Sequence, residues 1–209
     1  MALSVWLTFF AACWLLSLSP GAGAVASMSS GVRYGFVRGY WTAIGLQVAL
    51  ALQTLVVALG LGAILAASEL AFNLIKWFGV AYLLWLGISQ WRAEPAPLVS
   101  DDGARPIGRP LSLMLRGFLI NASNPKSIIF ILAVLPPFID PSQPLAQQYL
   151  ILAATMIGVD LLVMAGYTAL AAKVLRLLRS PHQQKLLNRV FGGCFVLAAG
   201  LLTTVQQEA

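Results

Sequence analysis

Long apolar stretches alternate with short polar ones along the whole chain. Six apolar segments stand out, at roughly 3–27, 39–67, 70–91, 113–137, 146–172 and 187–205. Each approaches or exceeds the roughly 20 residues a helix needs to cross a bilayer. A chain in lipid has no water to bond, so its backbone must close hydrogen bonds on itself. The pattern predicts an all-α integral membrane protein with six transmembrane helices. The clearest polar interval, 92–112, carries Pro95, Pro97, Asp101, Asp102, Gly103, Pro106, Gly108 and Pro110. It divides the chain into a first three-helix unit over 1–91, a connecting loop over 92–112, and a second three-helix unit over 113–209. Ala22-Gly23-Ala24 has the small residues of a signal cleavage site. No basic residue precedes it, however, and Trp6 and Trp14 are unusual in a signal core, so the first segment is expected to stay as a span.

Composition supports the membrane reading. Of 209 residues, 59% are hydrophobic and 10% charged, with a mean hydropathy of +0.84. Soluble domains are about 45–50% apolar and about 25% charged, which excludes an ordinary soluble enzyme, a disordered chain and a disulfide-stapled module. The net charge of +6 would suit nucleic acid, but its placement gives it another meaning. Arg33 and Arg38 follow the first segment, and Arg92, Arg105, Arg109 and Arg116 surround the connection from three to four. Lys173, Arg176, Arg179, Lys185 and Arg189 surround the connection from five to six. The other two connections, near Ser68-Glu69 and Asp140-Pro141, contain no Lys or Arg. Basic residues mark the cytoplasmic side. The expectation is therefore a cytoplasmic (inner) membrane protein with both termini external and no nucleic-acid partner. Cys13 and Cys194 lie in apolar runs and read as small buried hydrophobes. Neither they nor His182 shows metal-ligand spacing, so no metal or cofactor is expected.

The halves share features. Lys76-Trp77-Phe78-Gly79 followed by Gly87 matches Arg189-Val190-Phe191-Gly192 followed by Gly200. A polar residue precedes a proline in both Ser19-Pro20 and Asn124-Pro125. Proline removes a donor and clashes with the preceding turn, so helices one and four are expected to be interrupted or kinked. Three spans per half would make the halves inverted repeats, an architecture common among transporters. Leading into the second segment, Gly31, Gly35, Gly39 and Ala43 recur every four residues, a spacing suited to close helix packing. Gln47 continues the row, and its amide needs partners in lipid.

Ionisable groups inside spans mark function by default. Asp160 sits at the centre of segment five and Lys126 follows the proline of segment four, while Lys76 is able to snorkel. Asp160 facing Lys126 would be a structural ion pair. Facing a cavity, it could carry protons or hold a substrate ammonium. A half-helix that begins after Pro20 or Pro125 exposes N–H groups suited to a carboxylate. Gly21 and Gly23 would let a ligand approach the backbone, and Ser17, Ser19, Asn121 and Asn124 add hydrogen-bonding side chains. The candidate substrate-binding set is Ser19, Pro20, Gly21, Gly23, Gln47, Asn121, Asn124 and Pro125. The candidate coupling or ion-pair residues are Asp160 and Lys126. One buried Asp and one loop His do not supply the converging groups an intramembrane enzyme needs.

Ser17-Leu18-Ser19-Pro20-Gly21, Lys76-x-x-Gly79-x-x-Tyr82-Leu83-x-x-Leu86-Gly87 and Asn121-x-x-Asn124-Pro125-Lys126 resemble the lysine exporter (LysE/RhtB) family of bacterial amino-acid efflux proteins. Many members continue the first motif as Pro-Gly-Pro-Asn, where this chain has Pro20-Gly21-Ala22-Gly23. With Gly45-Leu46-Gln47, Val159-Asp160 and Met164-x-Gly166-Tyr167, the likeness is to the homoserine/homoserine-lactone efflux branch. The resemblance implies proton-driven export of small amino acids or derivatives, such as homoserine, its lactone or threonine. A passive channel for small polar solutes is the alternative. Protons, the substrate and the lipid bilayer are the expected partners, and a homo-oligomer is left open.

Overall fold

The computed structural model describes residues 1–67, 69–93, 108–171 and 180–203. Most of the predicted loop over 92–112, with Arg105, and also Lys173, Arg176 and Arg179 lie outside the described residues. The described elements are helical: α1 (Leu3–Leu18), α2 (Ala22–Ala67), α3 (Glu69–Arg92), α4 (Pro110–Ala122), α5 (Pro125–Val134), a single 3₁₀ turn (Pro136–Phe138), α6 (Leu145–Ala169) and α7 (Pro181–Thr203). The last four apolar segments lie on α3, on α4 with α5 and the 3₁₀ turn, on α6 and on α7 to within six residues, while the first is divided between α1 and α2 and the second helix begins far earlier than expected.

That exception has a physical cause. α2 holds one non-helical residue, Gly35, at φ 73° and ψ 175°, a region that only glycine enters cheaply. There the chain reverses. The Ser30 and Thr42 hydroxyls lie 2.8 Å apart, whereas twelve residues of straight helix would rise about 18 Å. Residues 22–34 and 36–67 are therefore two arms of a hairpin. The four-residue glycine row is not one packing face: Gly35 supplies the reversal, Gly31 abuts the backbone of Thr168, and Gly39 abuts that of Ser30.

Proline sets the other breaks. Ser19 leaves α1 at φ −70° and ψ 115°, the extended conformation imposed before Pro20. Pro125 occupies the first turn of α5, where its missing N–H costs nothing. By length and composition, Leu145–Ala169 is able to cross a membrane, and so is the stretch Ala22–Gly60, which the reversal at Gly35 divides into two arms. The pair Pro110–Ala122 and Pro125–Phe138 does so as one unit bent by 57°.

Phe9, Cys13, Met28, Leu46, Phe130, Ile131, Leu152, Met156 and Phe195 form the centre of the core. Many large apolar side chains point outward instead, among them Leu52, Leu55, Val56 and Leu59 on α2, Trp77 and Trp85 on α3, and Leu150 and Leu162 on α6. Lipid is the solvent that makes such a surface stable. The most extensive helix contacts are α2 with α4, α2 with α6, and α3 with α7. All three crossings need glycine, the one between α2 and α6 at Gly31, where a Cβ would strike the Thr168 carbonyl. A Cβ at Gly45 would strike the Met114 carbonyl, and one at Gly117 would strike that of Thr42. A Cβ at Gly87 would lie 2.8 Å from Gly192 O, and one at Gly192 would lie 2.7 Å from Gly87 O.

Gly117→Ala is expected to destabilise the fold by about 1–3 kcal/mol through overpacking. Gly158→Ala, where a Cβ meets nothing within 4 Å, is expected to leave it unharmed. Thermal unfolding midpoints in detergent measure both, and equal midpoints would remove the α2–α4 crossing as a constraint.

Candidate functional site

The two breaks come together in the middle of the molecule. At the first, the last carbonyls of α1 lose their helical donors. Ser19 N–H closes on Leu15 O (3.2 Å). The Lys126 ammonium arrives from α5 and donates to Leu16 O (3.2 Å) and Ser19 O (2.9 Å). The Tyr167 hydroxyl of α6 donates to Leu18 O (2.7 Å), and Gln90 Nε2 of α3 donates to Ser19 Oγ (2.9 Å). At the second break, Asn124 Oδ1 caps α5 by accepting from Lys126 N–H (3.1 Å), as an N-cap asparagine does. Gln53 Nε2 donates to Asn121 O (2.9 Å), while its Oε1 accepts from Ser127 Oγ (2.8 Å). Tyr82 donates to Lys126 O (3.2 Å), and Asn121 Nδ2 donates to Leu46 O of α2 (2.9 Å).

Between the breaks lies a cavity of about 60 Å³. Leu16, Ser17, Ser19, Gly21, Gly23 and Ala24 line it from the first break, and Asn121, Asn124, Lys126 and Ser127 from the second. Leu46 and Leu50 of α2 and Met156, Asp160 and Met164 of α6 complete the wall. Asp160 accepts from Gln47 Nε2 at 2.5 Å, and the Ser17 side chain is its second hydrogen-bonding neighbour. Asp160 and Lys126 interact electrostatically across the cavity, yet each is bonded to neutral groups. Elsewhere in the core, the Phe9 and Phe138 rings meet edge to face at 5.2 Å, and both are buried with Cys13 and Leu152.

Of the residues singled out in the sequence, Ser19, Gly21, Gly23, Asn121, Asn124, Lys126 and Asp160 line this one cavity. Gln47 stands behind the wall and reaches it through Asp160. Pro20 and Pro125 shape the breaks without lining the cavity. The pattern did not reveal Gln90, whose position near the end of α3 carries no local signal. Nor did it reveal Tyr82 and Tyr167 as backbone donors, although both stand in the motifs. Among the described residues no group of three or more His, Cys, Asp or Glu could hold a metal ion.

Chemically, the cavity offers acceptors around Asp160. It offers donors around Lys126 and the first turn of α2, whose amides have no intrahelical acceptor. That polarity suits a small zwitterion.

Residues 14–206 match the family described as LysE type translocator. The chain is 43% identical to an uncharacterised membrane protein of Vibrio cholerae, over 99% of this chain and 100% of the relative. It is 41% identical to the homoserine/homoserine lactone efflux protein of Salmonella typhimurium, over 99% of each. It is 28% identical to the leucine efflux protein of an Enterobacter species, over 97% of this chain and 96% of the relative. No solved structure matches. With almost its whole length inside the match, the chain belongs to the LysE-type translocator family and is a membrane transporter, not an enzyme.

Proposed function

We propose that this protein exports small amino acids or their derivatives, such as homoserine, homoserine lactone and threonine, in exchange for protons. The observation that carries this reading is the cavity where two broken helices meet, with Asp160 and Lys126 on its walls. The 41% identity to a homoserine/homoserine lactone efflux protein supports the substrate class.

Six spans in two inverted three-helix repeats explain the arrangement best. Residues 3–34, broken at Pro20, correspond to α4 and α5, broken at Pro125. Residues 36–67 correspond to α6, and α3 corresponds to α7. The contact of Gly87 with Gly192 supports the pairing. It joins the second glycine of one Phe-Gly motif to the first of the other. Arg33 and Arg38 flank the Gly35 reversal, Arg92 and Arg109 end α3 and precede α4, and Lys185 and Arg189 open α7. By the positive-inside rule these ends face the cytoplasm and both termini face outward, in a bacterial inner membrane.

Alternating access follows from size. One water needs about 10–15 Å³ of such a cavity, so 60 Å³ holds a few waters and not an amino acid. The helices must part to admit substrate and part again to release it. One half rocking against the other would do both. Asp160 is the carboxylate placed to take and release the exchanged proton, and Lys126 holds the first break together. A passive channel is the second reading. It is favoured only by the smallness of the apparatus, and it cannot sustain uphill flux.

In inverted vesicles or proteoliposomes with an acidic interior, labelled homoserine is expected to accumulate above its outside concentration. Failure of every amino acid in a panel to accumulate would sink the exporter reading, while uptake that only equilibrates would favour the channel. Asp160→Asn is expected to lose gradient-driven accumulation while keeping downhill exchange. Wild-type rate and proton dependence in that variant would remove Asp160 as the coupling residue. Lys126→Met strands the carbonyls of Leu16 and Ser19 at the first break and is expected to cost about 1–3 kcal/mol for each. This is read as a lower unfolding midpoint that Lys126→Arg partly restores.

A further inference from the structure

We propose that Gln47 holds the exchanged proton on Asp160: when the carboxylate is protonated, its O–H turns to Gln47 Oε1, behind the cavity wall. The inference rests on the reading of Asp160 as the carboxylate that takes and releases the proton, and deepens it. Gln47 meets no substrate in this account, so it is a positioning residue.

The starting observation is an oxygen without a donor. Gln47 is 5% exposed, and its Nε2 donates to Asp160 Oδ2 at 2.5 Å. Its Oε1 is buried with no hydrogen-bond partner. Leaving a buried acceptor unpaired is costly, and an amide kept only to orient a carboxylate needs its N–H and nothing else. Gln47 does not line the cavity, so a donor for this oxygen has to come from a neighbouring side chain. The titratable groups that act electrostatically on Asp160 are Cys13 of α1, Tyr40 of α2, Lys126 of α5 and Tyr167 of α6. Tyr40 donates to Leu161 O (3.1 Å), Tyr167 to Leu18 O, and Lys126 to Leu16 O and Ser19 O. The Cys13 thiol is a weak donor. Asp160 is already in contact with the amide, and protonation makes it a donor.

A carboxylic acid and a primary amide are complementary. The acid carbonyl accepts from the amide N–H, while the acid O–H donates to the amide oxygen. The first of these bonds is in place, from Nε2 to Oδ2. A proton arriving from the outer medium joins Oδ1 and closes the second bond. It leaves from the same oxygen towards the cytoplasm, and no other covalent bond forms or breaks. Glutamine therefore serves both states, as donor to the carboxylate and as donor and acceptor to the acid. The Ser17 hydroxyl, the other hydrogen-bonding neighbour of Asp160, donates or accepts as either state requires. The consequence concerns coupling. With its O–H turned away from the cavity, protonated Asp160 withdraws negative charge from the wall without taking space from the substrate. A substrate ammonium then loses its counter-charge and is released.

The test reads the Gln47 carbonyl by infrared spectroscopy of the reconstituted protein, with glutamine isotopically labelled at Cδ. Its band is assigned by its loss in Gln47→Leu. From alkaline to acid pH the band is expected to move to lower wavenumber as the oxygen gains a donor. In Asp160→Asn it is expected to stay in place, because asparagine donates at every pH. A wild-type band that does not move, or one that still moves in Asp160→Asn, overturns the proposal. Gln47→Glu keeps an acceptor and sets a second carboxylate beside Asp160, so the pair holds a shared proton to higher pH. The bath pH for half-maximal homoserine uptake by proteoliposomes is expected to rise by about one unit or more. A merely structural role changes the amount of active protein and not this midpoint, so an unmoved midpoint also overturns the proposal. Each of these failures leaves the exporter reading intact. Wild-type proton dependence in Asp160→Asn overturns the coupling role of Asp160 and this proposal together, and absence of any homoserine uptake overturns the exporter reading as well.

Discussion

A peptide carbonyl freed inside a bilayer has no water to bond, so every break in a buried helix obliges the protein to find a donor for it. Two such breaks lie at the centre of this molecule, and most of the polar side chains nearby answer that obligation. Lys126, Tyr167 and Gln90 serve the break at Pro20. Gln53, Tyr82 and Asn124 serve the break at Pro125. Asn124 accepts from its own helix, but the donors come from helices distant in sequence, so the breaks tie distant segments together as they open the cavity between them.

The cavity is a by-product of the same geometry. A helix that stops and restarts leaves a gap of one or two residues in which no side chain fills the interior. Gly21 and Gly23 keep that gap open at one break, and the Asn124 cap keeps the other compact. The glycine crossings then decide how near the walls come. Because Gly45 and Gly117 allow α2 and α4 into backbone contact, Asn121 of α4 reaches Leu46 O, and Gln53 of α2 reaches Asn121 O. Wider helices at this crossing would pull the amide network apart.

Much of the fold was legible because it follows from one-dimensional properties. The apolar run lengths marked the helices, and Pro20 and Pro125 marked the breaks, since proline lacks an N–H wherever it stands. Asp160 and Lys126 stood out because charge in an apolar run is rare. The reversal at Gly35 falls in the expected connection between the first two segments, but the role of the glycine row was harder to read. A glycine every fourth residue has the same spacing whether it packs a helix or ends one, and only its positive φ separates the two. Gln47 was visible as an amide in lipid, but its partner lies 113 residues away and nothing local points to it.

The sequence by itself determined where helices begin and break and which groups are too polar to face lipid. Those outcomes depend on residue chemistry measured against a bilayer of fixed thickness. Only the tertiary structure decided what each polar group does. Lys126 caps the end of α1 and does not close on Asp160, while Asp160 turns to Gln47 and Ser17. The physical reason is that a hydrogen bond is settled within about 3 Å, and the distance between two side chains on different helices is set by how glycines, breaks and reversals let those helices meet.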